Sequence, residues 1–181
     1  MMSRNLKVLF LILLYGVVLG CAQEELNSYE PEDTNAFTYN GATYPLMAAI
    51  VLDEETSANT ASDIKISLFN KSSAEITSNS DVTDLSYVSF EVVDIDLNQT
   101  TYNQIDDYTV SINGSVTDSE FHPGTILLSS SDADSHLFAQ SGVVTITNYT
   151  AYNIVFTFSF TRTDGTLISG SYDGNYLLSG N

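Results

Sequence analysis

From Phe37 onward, apolar and polar residues alternate in short runs. Ile64, Ile66 and Leu68 are separated by Lys65 and Ser67, and Val88, Phe90 and Val92 by Ser89 and Glu91. Tyr108, Val110 and Ile112 follow the same rule, and Ile154, Phe156, Phe158 and Phe160 give the longest example. A period of two places alternate side chains on opposite faces of an extended chain, so each run predicts a half-buried strand. Shorter candidates are Phe37 to Tyr39, Thr43 to Leu46, Thr125 to Leu128 and Val143 to Thr147. Leu46 to Val51 is apolar without alternation, which fits a buried strand or a short helical piece. No segment beyond residue 20 sustains a helical period.

The punctuation agrees with strands. Asn40-Gly41, Asn113-Gly114, Asp164-Gly165 and Asp173-Gly174 are pairs that tolerate positive φ, and they read as type I′ hairpin turns. Asp164-Gly165 joins the phenylalanine run to a second β-like run, Thr166 to Tyr172. Many short strands with such turns predict an all-β domain, an antiparallel β-sandwich. A lipocalin-like β-barrel is the alternative, and its apolar lumen would suit a small lipophilic ligand.

The first 20 residues differ from the rest. Arg4 and Lys7 precede an apolar run from Val8 to Leu19, shorter than the roughly 20 residues of a membrane span. A basic flank and a short apolar stretch are the layout of a secretory signal. The run ends in Val18-Leu19-Gly20-Cys21, which resembles the lipobox of bacterial lipoproteins. That resemblance implies cleavage before Cys21 and lipidation of its sulfur, so that the membrane is the first partner. Residues 21–35 then read as an acidic flexible tether carrying Glu24, Glu25, Glu30, Glu32, Asp33 and the helix breaker Pro31. Ala22 and the acidic Gln23-Glu24-Glu25 resemble the export tag of surface lipoproteins in Bacteroidota. This implies an outer-membrane location with exposure at the cell surface. Residues 36–181 have the length of one domain.

Charge and cysteine content exclude several classes. Beyond residue 20 stand 23 acidic side chains against three basic ones, Lys65, Lys71 and Arg162. Nucleic-acid binding needs lysine and arginine to neutralise phosphates, so no nucleic-acid partner is expected. Cys21 is the only cysteine. The domain therefore has no internal disulfide, no catalytic thiol and no zinc–thiolate site, and its core must hold it together.

Candidate chemistry is sparse. The histidines are His122 and His136, and none of the familiar hydrolase, zincin or phosphate-loop patterns occurs. No enzyme activity and no obligatory cofactor are expected. Asp94-Ile95-Asp96-Leu97-Asn98 opens like a calcium loop, but Gln99 and Ile105 stand where an EF-hand needs glycine and glutamate. On an extended strand Asp94, Asp96 and Asn98 would share a face, with Asp106 and Asp107 near enough to fold back, which makes them the candidate Ca²⁺ ligands. Asp132-Ala133-Asp134-Ser135-His136 is a second, loop-like cluster. Tyr149, Tyr152, Tyr172 and Tyr176 crowd the C-terminal third, and tyrosine stacks on sugars while hydrogen-bonding at its rim.

Two segments carry a resemblance. Phe37-Thr38-Tyr39-Asn40-Gly41 with Tyr44-Pro45-Leu46, and the run from Asp164 to Gly174, are similar to the ends of small β-rich lipoproteins of Bacteroidota. The resemblance implies an outer-membrane lipoprotein and brings no functional residues with it. The expectation is a non-catalytic binding or adhesion module for glycans. A structural lipoprotein that binds a protein partner is the other reading.

Overall fold

The computed structural model describes residues 35–53, 62–78, 80–94, 96–118 and 120–179. The signal, Cys21 and the tether up to residue 34 lie outside the described residues, as does Ile95. Asn35 already belongs to the domain: its side chain bonds the backbone of Asp173 in both directions, and its carbonyl accepts from the Leu46 amide.

Among the described residues twelve strands form one mixed sheet. They are β1 (Ala36–Tyr39), β2 (Ala42–Pro45), β3 (Ala48–Asp53), β4 (Ser62–Phe69), β5 (Val82–Asp94) and β6 (Thr101–Tyr102). After them come β7 (Ile105–Thr117), β8 (Glu120–His122), β9 (Thr125–Ser129), β10 (Ala139–Tyr149), β11 (Asn153–Arg162) and β12 (Leu167–Ser179). Neighbours run in the order β6-β10-β11-β12-β3-β4-β5-β7-β8, with β1 and β2 off β12 and β9 off β7.

The long β12 makes two sheets out of one. Leu167 to Asn175 pairs with β11, and Ile168 to Ser171 also pairs with β1 on the other edge. Tyr176 to Ser179 then runs parallel to β3. Every other pairing is antiparallel, so the sheet is mixed at this one seam. The layers face each other through phenylalanines: the Phe90 ring of β5 lies 5.9, 6.0 and 6.1 Å from Phe156, Phe158 and Phe160 of β11. The result is sandwich-like. The barrel is not formed, because the path does not close, and side chains fill the space a lumen would occupy.

The alternating runs fall where the pattern puts them. Ile64, Ile66, Leu68, Val88, Phe90 and Val92 are fully buried, and β11 buries Ile154, Phe156, Phe158 and Phe160 in succession. The ambiguous run after Leu46 is strand β3. The seam needs a residue without a side chain at Gly170, which pairs with Phe37 and Phe158 at once. A Cβ there would lie 2.5 Å from the Ala36 carbonyl oxygen and 2.6 Å from the Phe158 ring.

Of the four type I′ expectations, one is met and three are corrected. Asn40-Gly41 is a hairpin turn with φ of 49° and 77°, as type I′ requires. Asp164-Gly165 also closes a hairpin, but through a three-residue loop in which Gly165 alone takes positive φ. Asn113-Gly114 instead lies inside β7 and Asp173-Gly174 inside β12. Between Leu85/Gly114 and Tyr87/Ser111, β7 carries one residue more than β5, and Asn113 takes φ 56°. The left-handed conformation that a turn would use is spent on a β-bulge. Neighbouring Val110 and Ser111 are both buried, where the register of β7 against β9 shifts.

A five-residue helix, α1 (Ser73–Thr77), was not expected. Its signal is a capping box: the Ser72 amide donates to Glu75, and the Glu75 amide donates to the Ser72 hydroxyl.

Candidate functional site: the groove between β7 and β10

β7 and β10, each next to last on the sheet path, approach each other without pairing. Between the start of β7 and the start of β10 a groove of about 580 Å³ opens. Ile105 to Tyr108 of β7, with the link Asn103-Gln104, forms one wall, and Ala139 to Gly142 of β10 forms the other. Phe160 closes the floor. A Cβ at Gly142 would lie 2.9 Å from the Phe160 ring, so the absent side chain keeps the groove deep here.

Two struts hold the walls. The Tyr108 hydroxyl accepts from the Ala139 amide at 3.0 Å, and its ring packs 5.7 Å from Phe160. Arg162 occupies the last inward position of β11 and is only 7% exposed. Its guanidinium donates to the His136 carbonyl and the Tyr39 hydroxyl and pairs with Asp164 at 2.9 Å. A buried charge is tolerated when its donors are satisfied, and here they fix the turn that leads into β10.

A second bulge shapes the β7 wall. Ser89 faces Thr109 while Glu91 faces Asp106, so β7 again carries an extra residue, and Asp107 takes φ 38°. The Asp107 carboxylate accepts from Lys65 Nζ at 2.9 Å and from the Ser130 hydroxyl at 3.2 Å. Lys65 also donates to Glu91 at 3.0 Å. Burial alone would lower the Lys65 pKa, but the bonds to Asp107 and Glu91 outweigh it and raise it. The bond from Lys65 holds Asp107 below the usual carboxylate range. Glu91 goes the other way, because burial and repulsion from Asp107 and Asp63 exceed the help of Lys65.

The remaining polar groups of the groove are unclaimed. Among the described residues, the side chains of Asn103, Gln104, Asp106, Gln140 and Ser141 make no hydrogen bond within the chain, and all are exposed. Amides donate and accept, a hydroxyl does both, and a carboxylate accepts. Such a set matches a ligand rich in hydroxyls. The nearest cation, Lys65, is already bonded to two carboxylates. The groove therefore repels anions.

The four tyrosines are not one surface. Tyr172 is 2% exposed, and its hydroxyl donates to the Asn175 carbonyl. Tyr176 is also buried, donates to the Thr150 carbonyl and stacks on Tyr149 at 5.7 Å. Burial, then the Tyr176 hydroxyl, then the negative Asp53 and Asp96 raise the Tyr149 pKa. Neither Tyr172 nor Tyr176 can offer a face to a sugar, because the core occupies both. Tyr152, at the tip of the β10–β11 hairpin, is 78% exposed and can.

The acidic expectations are placed differently too. β5 ends at Asp94, so Asp94, Asp96 and Asn98 do not share a strand face. Asp94 accepts from the Tyr102 hydroxyl, and the Asn98 side chain donates to the Asp96 carbonyl. Asp106 and Asp107 face the groove instead. Among the described residues, no three histidine, cysteine, aspartate or glutamate side chains converge as a metal site. Asp132 and Asp134 accept backbone amides two residues ahead, which makes that cluster a capped turn before the 3₁₀ helix Ser135–Leu137. His122 and His136 stand exposed on separate elements.

Apart from Asp106 and Asp107, the groove residues escaped sequence reading, because Asn103 to Tyr108 and Ala139 to Gly142 are remote along the chain. Only the failure of the sheet to close brings them together. Comparison with protein-family models, with curated proteins and with solved structures gives no match.

Proposed function

We propose that this chain is an exported, lipid-anchored binding module that acts without catalysis and takes a glycan in the groove between β7 and β10. The observation that carries the reading is the set of five unclaimed polar side chains lining one concave site, beside a tyrosine held rigid by its own hydrogen bond. Neutral glycans fit this chemistry, whereas uronic or sulfated chains meet Asp106 and Asp107. The lipobox-like end at Cys21 and the acidic residues after it support anchoring at the outer membrane with display at the cell surface.

The test is a screen of neutral and acidic oligosaccharides, followed by calorimetry on the best ligand. Each neutral hydrogen bond contributes about 0.5–1.5 kcal/mol. Asn103→Ala with Gln140→Ala should therefore weaken binding by roughly tenfold. Tyr152→Ala should leave it unchanged. The opposite pattern would move the ligand to the hairpin tip, and a screen with no binder would remove the glycan reading.

A further inference from the structure

We infer that the sugar selected by the groove carries an acetamido group, laid across it from the Gly142 amide to the Asp106 carboxylate. This rests on the glycan reading of the same groove and names the class of sugar. The donor is a backbone one. The Ile146 amide donates to the Thr100 carbonyl, on the side of β10 away from β11. Along an antiparallel strand successive residues turn their N–H and C=O to opposite sides, so Val144 and Gly142 face the same way as Ile146. Val144 meets Tyr102, the last residue of β6. Beyond that pair the chain leaves for β7. Among the described residues, nothing bonds the Gly142 N–H or C=O on that side.

The surroundings of Gly142 choose among ligands. Ile105 reaches over from the other wall: its Cγ1 would lie 3.4 Å from a Cβ at Gly142. The next residue of that wall, Asp106, therefore stands close to the open edge of β10. It is exposed, and among the described residues its carboxylate has no partner. One wall thus offers a fixed N–H donor and the facing wall an acceptor. Ile105 and the exposed Val93 add apolar surface beside them.

A secondary amide is planar and trans, so its N–H and C=O point in opposite directions. An acetamido carbonyl accepts from Gly142 while its N–H donates to Asp106, and its methyl rests on Ile105 and Val93. A hydroxyl in its place reaches one wall only and leaves the apolar surface bare. A site built to hydrogen-bond a group rejects the analogue that lacks it, because its own polar groups are then left unpaired.

Tri-N-acetylchitotriose and cellotriose are a matched pair of probes. They share length and linkage and differ in carrying an acetamido group or a hydroxyl on the second carbon of each ring. Calorimetry on the full chain in detergent should show the acetylated trimer binding at least about tenfold tighter, the effect of one hydrogen bond to a charged group. Asp106→Ala should erase the difference by weakening the acetylated trimer alone. Asp106→Asn keeps an acceptor oxygen and should restore part of it. In heteronuclear NMR the Gly142 amide proton should shift further downfield with the acetylated trimer than with cellotriose. Equal affinity for the two trimers, or an unmoved Gly142 amide in the acetylated complex, would overturn this inference and leave the glycan reading standing. So would a different neutral glycan that binds while neither trimer does. Failure of every glycan would end both readings. A blocked serine–valine pentapeptide that binds where the trimers do not would give the open edge of β10 to polypeptide strands instead, and would equally overturn the inference.

Discussion

Phe90→Ala should be the most damaging single truncation in the domain. The side chain is fully buried and meets three phenylalanines of the facing sheet. Phe→Ala in a core costs about 3–5 kcal/mol. Area bookkeeping agrees, since roughly 150 Å² of buried aromatic surface at 25 cal/mol per Å² gives about 4 kcal/mol. About 145 residues carry an unfolding entropy near 0.3 kcal/mol per degree, so the melting temperature should fall by about 10–17 °C. The assay is thermal unfolding by circular dichroism, with Phe121→Ala as the control. Phe121 is 41% exposed and outside the core, so its loss should cost less than about 1 kcal/mol. If Phe90→Ala melted within about 3 °C of the parent, the two layers would not meet at Phe90 and the face-to-face arrangement would be wrong.

Three further outcomes follow from single positions. Gly170→Ala puts a Cβ against the Ala36 carbonyl and the Phe158 ring, and should cost about 1–3 kcal/mol in urea unfolding; a neutral substitution would mean that β1 and β11 are not so close to β12. Asp107 has a folded pKa below its ordinary value of 3.8, so its stabilising effect is complete above that pH and is lost as pH falls through the folded value. Unfolding titrations from pH 5 to pH 2 should therefore show a shallower acid loss for Asp107→Asn than for the parent, and equal slopes would detach Asp107 from Lys65. Adding millimolar calcium to EDTA-treated protein should leave the melting temperature in place. A rise of about 9 °C, the shift for a ligand at a hundredfold over its Kd, absent with magnesium, would show that Asp94, Asp96 and Asn98 rearrange around an ion.

The alternation of apolar residues by itself determined the long strands and the faces they bury, but not the short β6 and β8. Side-chain period is a local property of extended chain, so Ile64 to Leu68, Val88 to Val92 and Ile154 to Phe160 were legible without a fold. The helix at Ser73–Thr77 went unread despite its capping box, because one turn is too short to show a period. Hairpins at Asn40-Gly41 and Asp164-Gly165 came from local turn chemistry. Asn113-Gly114 looked identical, yet the tertiary structure made it a bulge, because positive φ serves a turn and a bulge equally well and only the partner strand decides between them. Tyr172 and Tyr176 were indistinguishable from surface tyrosines for a related reason: a phenol is content inside whenever a carbonyl lies within reach, and the carbonyls of Asn175 and Thr150 do. What no local pattern encodes is the order of the strands in the sheet. That order follows from β12 pairing with β11, β1 and β3, and it sets Asn103 and Asp106 opposite Gln140 across a groove.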